Sequence, residues 1–190
     1  MAKIEALLDG LTFPEAPRWH DGKLWFSDFY SHRVLTVDLN GRAETVTTVP
    51  QQPSGLGWTP DGKLLIVSML DRCLLHFDGE QHHVIADLSA LATGPCNDMV
   101  VDATGRAYVG NFGFDRHHGE AKRSTCIARV DPDGRVVRAA DDLVFPNGMV
   151  ITPDGKTLII GETFANRLTA FDIDFAGSLA NRRVFAQLDD

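Results

Sequence analysis

Several features that mark whole classes of protein are missing from this sequence. It has no cluster of Lys or Arg and a formal net charge of −8. Without a basic patch to neutralise phosphates, nucleic acid is not an expected partner. No apolar run approaches the ~20 residues that cross a bilayer, and the N-terminus lacks the apolar core of a signal peptide. We therefore expect no membrane partner and a cytoplasmic location.

Cysteine is also scarce, with 3 residues in 190 and no C-x-x-C spacing. Such cysteines are typical of reduced thiols in a cytosolic protein. The sequence has neither a Gly-rich phosphate loop nor a G-x-S-x-G nucleophile elbow. Apolar residues nowhere keep a helical period over the roughly ten positions that a helix needs. These absences favour an all-β fold.

What the chain does contain is an internal repeat of roughly 40 to 50 residues, the period of propeller blades. Each copy holds two turn signals, mostly Asp-Gly or Asn-Gly, flanked by alternating apolar residues. Two hairpins give four antiparallel strands, which form one propeller blade. We predict a single β-propeller domain over residues 1–190. Its four blades are expected at approximately 13–50, 53–90, 95–142 and 145–189.

Both ends of the sequence resemble outermost strands. Residues 4–9 are similar to the segment that precedes the fourth repeat, so we expect an outer strand of a closing blade there. Residues 183–188 are also expected to be a fourth strand, which leaves residues 4–9 without a partner blade. Natural sheets avoid exposed edges. We therefore expect a truncated propeller, with further blades after Asp190.

One column of the repeat concentrates polar side chains at the start of each innermost strand. It holds Glu15, Ser54, Asn97 and Asn147, which should meet at one end of the central channel. Carboxylate and amide oxygens suit hard divalent cations. A Glu among apolar neighbours is costly to bury unless a cation or partner compensates its charge. The alternative is that these side chains only bond local turn backbone.

Three short sequence motifs resemble those of the senescence-marker-protein/gluconolactonase family, which is regucalcin-like and includes sugar lactone lactonases. They are Phe13-Pro14-Glu15-Ala16-Pro17, Cys96-Asn97-Asp98-Met99 and Pro146-Asn147-Gly148-Met149. The resemblance implies a six-bladed propeller with about four blades in this chain. It also implies a metal-dependent, lactonase-type hydrolase that acts on a small-molecule lactone or ester.

The resemblance further implies one divalent metal ion in the axial channel, of the kind Ca²⁺, Zn²⁺, Mn²⁺, Mg²⁺ or Fe²⁺. Glu15 and Asn147 would be metal ligands, and Asn97 would contact the substrate or the metal. The family's remaining ligand and catalytic base is an Asp on a fifth blade, so we expect it beyond residue 190. Sugar-lactone members carry an Arg where this chain has Pro95, which weighs against a sugar lactone.

A loop at residues 113–124 interrupts the third repeat and could form a lid or specificity loop at the channel mouth. With Asn97, we expect Asn111 and Phe114 to bind substrate. The same loop offers candidate substitutes for the missing base, namely Asp115, His117, His118 and Glu120. For the adjacent His117 and His118, an exposed, solvated loop is the favoured interpretation.

Two other functions fit the same fold. The chain could be a non-catalytic propeller that binds a peptide or protein on its channel face. It could also be a metal-free propeller similar to strictosidine synthase. A scaffold has no need of acid and amide groups in the repeat column, which weighs against the first alternative.

Overall fold

The structure is a computed structural model that describes residues 4–115 and 118–189. Over these residues the chain folds into sixteen antiparallel strands arranged as four four-stranded sheets. In every sheet consecutive strands are neighbours, and the sheets are arranged as the blades of a β-propeller. The predicted all-β propeller class is therefore confirmed.

We number the blades 1 to 4 in chain order, and the first strand of each blade is its innermost. Blade 1 contains β1 (Pro14–His20), β2 (Lys23–Asp28), β3 (Arg33–Val37) and β4 (Ala43–Thr48). Blade 2 contains β5 (Pro53–Trp58), β6 (Leu64–Ser68), β7 (Cys73–Phe77) and β8 (His82–Asp87).

Blade 3 contains β9 (Cys96–Val101), β10 (Ala107–Asn111), β11 (Thr125–Val130) and β12 (Val136–Leu143). Blade 4 contains β13 (Pro146–Ile151), β14 (Thr157–Glu162), β15 (Arg167–Ile173) and β16 (Leu179–Gln187). Short 3₁₀ turns follow the second strands of blades 1 and 4, at Phe29–Ser31 and Thr163–Ala165.

The turn motifs of the repeat connect the strands of the hairpins. Between β1 and β2, Asp21 and Gly22 have φ values of 47° and 74°, the left-handed pair that a tight hairpin turn requires. The inner strands also approach one another closely. A Cβ on Gly55 of β5 would lie 2.6 Å from the backbone nitrogen of Met99 in β9. Glycine at this position therefore lets two inner strands meet at the axis.

The hydrophobic core lies between neighbouring blades. One cluster between blades 1 and 2 includes Val34 and Ile66, and another between blades 2 and 3 includes Leu74 and Met99. A third cluster, between blades 3 and 4, is built around Tyr108 and its neighbours. Face-to-face packing of apolar sheet faces thus stabilises the blade stack.

Residues 4–9, expected to be an outer strand, form no strand in the structure. Leu8 and Leu11 instead pack on the outward face of blade 1, against a cluster that includes Phe26. Pairing of residues 4–9 with a closing blade stays a prediction. Among the described residues, no helix is long and apolar enough to cross a membrane.

Candidate active site

The same irregularity occurs at the start of every inner strand. Each of β1, β5, β9 and β13 carries one extra residue relative to its neighbour, which is a β-bulge. The bulges lie at or next to Glu15, Ser54, Asn97 and Asn147. Bulges re-aim side chains and are common beside active sites. Each blade therefore has a β-bulge at the same place, and this bulge can turn a side chain towards the propeller axis.

Three members of the column line one cleft. Glu15, Asn97 and Asn147 contribute to a cavity of about 540 Å³, a size typical of small-molecule sites. Ser54 is buried beneath Asn97 and does not contribute to the cavity surface. The structure therefore brings together the three residues that the sequence singled out as candidate metal ligands.

Glu15 carries the charge of this site. Burial raises the pKa of its half-buried carboxyl, the negative charge of Asp98 raises it further, and a hydrogen bond from the Ala16 backbone N–H lowers it. Ala16 itself has a φ of 51° and is buried. An alanine in the left-handed region inside a strand is strained, and such strain often accompanies functional sites.

The two amides differ in how firmly they are held. Asn97 is 2% exposed, and its Nδ2 donates to the Pro146 carbonyl at 3.2 Å. The Ser54 hydroxyl donates to Asn97 Oδ1 at 3.4 Å, a long bond that leaves this oxygen free to accept another. Asn147 Oδ1 accepts the backbone N–H of Gly148 at 2.9 Å. Both amide oxygens retain a lone pair for a ligand.

An ion pair between a half-buried arginine and a buried aspartate, next to the column, could not be seen in the sequence. Arg18 Nη2 lies 2.8 Å from Asp98 Oδ1, and the other carboxylate oxygen accepts the Met149 N–H at 3.1 Å. Burial raises the pKa of Asp98, and the Arg18 charge opposes that rise. The pair joins inner strands that lie 80 residues apart in sequence. The one sequence feature that points to this ion pair is an Asp directly after Asn97 in an otherwise apolar segment.

Asn111 and Phe114 do not line the cavity. Asn111 Oδ1 accepts the Gly113 N–H at 3.0 Å and the Thr125 hydroxyl at 2.6 Å, and its Nδ2 donates to the Cys126 carbonyl at 3.0 Å. Both lone pairs of Oδ1 and one N–H of this amide are thus used within blade 3. Phe114 is 3% exposed and packs near Phe145. A substrate contact by Asn111 or Phe114 stays a prediction.

The loop at residues 113–124 brings no described acid or base to the cavity lining. His118 is exposed, and its Nδ1 lies 2.7 Å from Asp115 Oδ2. Glu120 pairs with Arg123 at 3.0 Å. His117 lies outside the described residues. A catalytic role for this loop stays a prediction.

Glu162 ends the second strand of blade 4, as Asp28 does in blade 1. Its buried carboxylate accepts hydrogen bonds from Arg167 Nε at 2.9 Å and the Val144 N–H at 2.8 Å. Burial alone would raise the pKa of Glu162, but the hydrogen bonds from Arg167, Thr169 and Val144 outweigh it and lower the pKa. Glu162 therefore anchors blade 4 and is a poor candidate for the base.

The donor set can be tested against a metal. In the described part of the chain, no three His, Cys, Asp or Glu side chains are grouped so that they could hold an ion. The cleft instead offers one carboxylate and two amide oxygens, which are hard oxygen donors of the kind that Ca²⁺ and Mg²⁺ accept. A half-buried carboxyl with a raised pKa fits a cation, since a positive charge would compensate its burial. The residues present therefore fit part of a divalent-cation site.

The chain is a β-propeller in which one acid and two amide side chains line a shared cleft. Comparison with known proteins identifies its family. Residues 13–190 match the SMP-30/gluconolactonase/LRE-like region, and the chain belongs to this family. The family resemblance inferred from the sequence words is confirmed.

Individual relatives agree with this assignment. The chain is 25% identical to pentonolactonase XacC of Haloferax volcanii over 178 residues, which are 91% of this chain and 58% of that protein. It is 24% identical to regucalcin of Danio rerio over 186 residues, which are 92% of this chain and 60% of that protein. The chain thus spans under two thirds of the length of the curated relatives it matches.

The fold agrees with solved structures as well. A gluconolactonase from Xanthomonas campestris superposes with a TM-score of 0.81 at 24% identity, covering 97% of this chain and 66% of that one. At this level of identity the likeness concerns the fold.

Proposed function

We propose that this chain carries part of the active site of a metal-dependent, lactonase-type hydrolase that acts on a small-molecule lactone or ester. The observation that supports the proposal best is the shared cleft of Glu15, Asn97 and Asn147, each presented at a bulged inner strand. Family membership supports the same reaction class.

Glu15 and Asn147 would hold the divalent cation, and Asn97 would contact either the cation or the substrate. When bound, the cation would supply Lewis-acid polarisation of the ester carbonyl and charge for the developing oxyanion. Asn97 is held for such a contact by its bonds to Ser54 and Pro146. Glu15 contributes the negative charge that attracts the cation, since Asp98 beside it is already paired with Arg18.

The catalytic base belongs to a further residue in this proposal. Glu15 is the one carboxylate among the cavity-lining residues that the structure describes, and a carboxylate that binds the cation is a poor proton acceptor. We therefore propose that an Asp outside these 190 residues completes the ligand set and activates water. The 190-residue chain alone is then expected to hydrolyse lactones slowly or not at all.

Cation binding tests the proposal without requiring turnover. Ca²⁺, Mg²⁺, Mn²⁺ and Zn²⁺ are titrated separately into chelator-treated protein, and uptake is measured by calorimetry and by the shift in melting temperature. Glu15→Gln and Asn147→Ala should each weaken uptake at least tenfold. Glu80→Gln, which removes an exposed carboxylate of a blade 2 turn, is the control and should bind like the wild type.

Unchanged uptake in both cleft variants would contradict the proposed site. If the wild-type chain takes up none of the four cations, the metal-free propeller becomes the better assignment for these residues. A non-catalytic scaffold would show no dependence of stability on any of these ions.

A further inference from the structure

The upper part of the cleft is built from a second repeated feature. In each blade, the residue before the inner strand and the residue after the second strand are joined by a backbone N–H···O=C hydrogen bond. We call each such couple a rim pair. The bonds measure 3.2, 2.9, 2.9 and 3.1 Å in blades 1 to 4, for Phe13/Phe29, Gln52/Met69, Pro95/Phe112 and Phe145/Thr163 respectively.

All eight rim-pair residues line the same cavity as Glu15, Asn97 and Asn147. Six of them are apolar, and Gln52 and Thr163 are the two polar members. Tyr30 and Leu70, which directly follow rim residues, complete the lining. The cleft therefore has two layers, with acid and amide groups below and a largely aromatic and aliphatic wall above.

The wall is held in place by aromatic packing. The rings of Phe112 and Phe145 stack with centroids 4.4 Å apart, and those of Phe13 and Phe29 lie 4.8 Å apart. Phe145 has a φ of 54°, a left-handed conformation that is unfavourable for a bulky residue and persists only where its surroundings enforce it. The apolar wall is thus a pre-formed surface.

Charge is almost absent from the wall. Within the described lining, Glu15 is the one acidic side chain and no Lys, Arg or His is present. Among these described lining residues, a carboxylated or phosphorylated substrate would find no cationic side chain to pair with. A polyhydroxylated ring would bring more hydroxyl groups than Gln52, Thr163 and the Tyr30 hydroxyl can satisfy along this wall, and unpaired buried hydroxyls disfavour binding.

We infer that the cleft is specific for a neutral lactone or ester that carries an alkyl or aryl substituent. The carbonyl end would face the layer of Glu15, Asn97 and Asn147, and the apolar substituent would lie against the rim pairs. This inference rests on the proposed function, because it assigns the substrate class of the same site.

A series of non-hydrolysable lactams tests the inference. In a δ-lactam an N–H replaces the ring oxygen of a δ-lactone, so binding can be measured without turnover. Calorimetry is run on 2-piperidones with 6-alkyl tails of zero, two, four and six carbons, and on the polyhydroxylated glucono-δ-lactam, with and without added Ca²⁺. We expect Kd to fall up to about fourfold for each methylene that becomes buried, and the polyhydroxylated lactam to bind more weakly than the longer-tailed compounds.

Variants then locate the tail. Leu70 lies on the cleft wall and is 45% exposed, so Leu70→Ser should fold normally. It should weaken binding of the six-carbon compound severalfold more than it weakens binding of the unsubstituted lactam. Leu188→Ser is the matched control, because Leu188 is 49% exposed and is not among the residues lining the cleft. This control should behave like the wild type for every compound.

A Kd that is independent of tail length, or tighter binding of the polyhydroxylated lactam, would overturn the inference. Absence of binding by the whole series would do the same even if Ca²⁺ uptake is normal. Tail-dependent binding without any uptake of metal ions would support the apolar cleft and refute the proposed metal site. The two proposals can therefore fail separately.

Discussion

At the scale of single residues, the two carboxylate oxygens of Asp98 connect three blades. One oxygen pairs with Arg18 of blade 1 and the other accepts an N–H from blade 4, while Asp98 itself lies in blade 3. The carboxyl group is 4% exposed. A buried charge of this kind destabilises the fold strongly if its partner is removed.

We therefore expect Arg18→Met to lower the free energy of unfolding by about 3 kcal/mol, because Asp98 is left buried without its counter-ion. The double variant Arg18→Met/Asp98→Leu should recover part of that loss. Lys23→Met is the control, since the Lys23–Glu44 pair has side chains 39% and 69% exposed and such a surface pair contributes about 0 to 1 kcal/mol. Urea unfolding measures all three, and an Arg18→Met midpoint equal to that of the control would disprove the role of the pair.

Asp28 gives the molecule a specific acid sensitivity. Its side chain is fully buried. Burial alone would raise the pKa of Asp28, but hydrogen bonds from the Ser31 hydroxyl, the Phe13 N–H and both donors of Thr12 lower it to about 2. These bonds tie the segment before β1 to the end of β2, next to a rim pair.

Because the folded-state pKa of Asp28 lies below its unfolded value, the stability it contributes is present above about pH 4 and is lost as the pH falls towards 2. The shift corresponds to about 2 kcal/mol at neutral pH. Asp28→Asn should lose that amount at pH 7 and show a flatter decline between pH 4 and pH 2. Urea unfolding across this range measures the slopes.

The control is Asp21→Asn, at a carboxylate that is 87% exposed, and it should keep the wild-type slope. A wild-type slope in Asp28→Asn would refute the assignment.

At the scale of strands, the repeat explains most of what the sequence could predict. The Asp-Gly and Asn-Gly motifs predict where the hairpins lie, because the positive φ that a tight turn requires depends only on local residues. The alternating apolar residues place the strands, because a sheet face needs period-two burial. The column of Glu15, Asn97 and Asn147 follows from counting residues back from the repeat. These features depend on a few neighbouring residues, so a single sequence reveals them.

The bulges and the bonding of individual amides could not be predicted in the same way. Asn111 and Asn97 look alike in sequence, each being an Asn in an apolar strand. Only tertiary contacts show that the Asn111 amide is hydrogen-bonded to Thr125 and Cys126, while Asn97 lines the cleft. Arg18 and Asp98 give no joint signal, because their pairing depends on how blades 1 and 3 meet at the axis.

Close approach of the inner strands makes a separate prediction. A Cβ at position 55 would meet backbone as well as the Met99 side chain at 2.9 Å, so the strands must separate to accept it. Gly55→Ala should cost about 1 to 3 kcal/mol, as overpacked cores do. It should also weaken cation uptake, because Ser54 supports Asn97.

The comparison for this prediction is Gly62→Ala, in a turn where a Cβ would meet nothing within 4 Å but the φ is +82°. Its cost should be about 1 to 2 kcal/mol from backbone strain alone, with cation uptake unchanged. Urea unfolding and calorimetry on both variants give the two readouts. Equal uptake in the two variants would show that the position of β5 does not matter to the cleft.

At the scale of the whole molecule, the four blades that the structure describes differ in how many of their faces pack against another of these blades. The core clusters between blades 1 and 2, 2 and 3, and 3 and 4 give blades 2 and 3 a packed neighbour on both sides. In the described residues, the outward face of blade 1 is covered in part by Leu8 and Leu11. Repeat proteins of this kind owe their stability to nearest-neighbour interfaces, so stability should vary along the stack.

We expect backbone amides of β5, β6, β9 and β10 to exchange with deuterium most slowly, since they lie in blades that are packed on both faces. Amides of blade 1 and blade 4 should exchange through local opening at lower free energy. Native-state hydrogen exchange, followed by mass spectrometry of peptides from each blade, measures this order.

Ca²⁺ binding should slow exchange most in peptides that contain Glu15 and Asn147, because those blades gain a contact across the cleft. Equal exchange rates in all four blades would mean that the chain opens as one cooperative unit, and the nearest-neighbour account of its stability would be wrong.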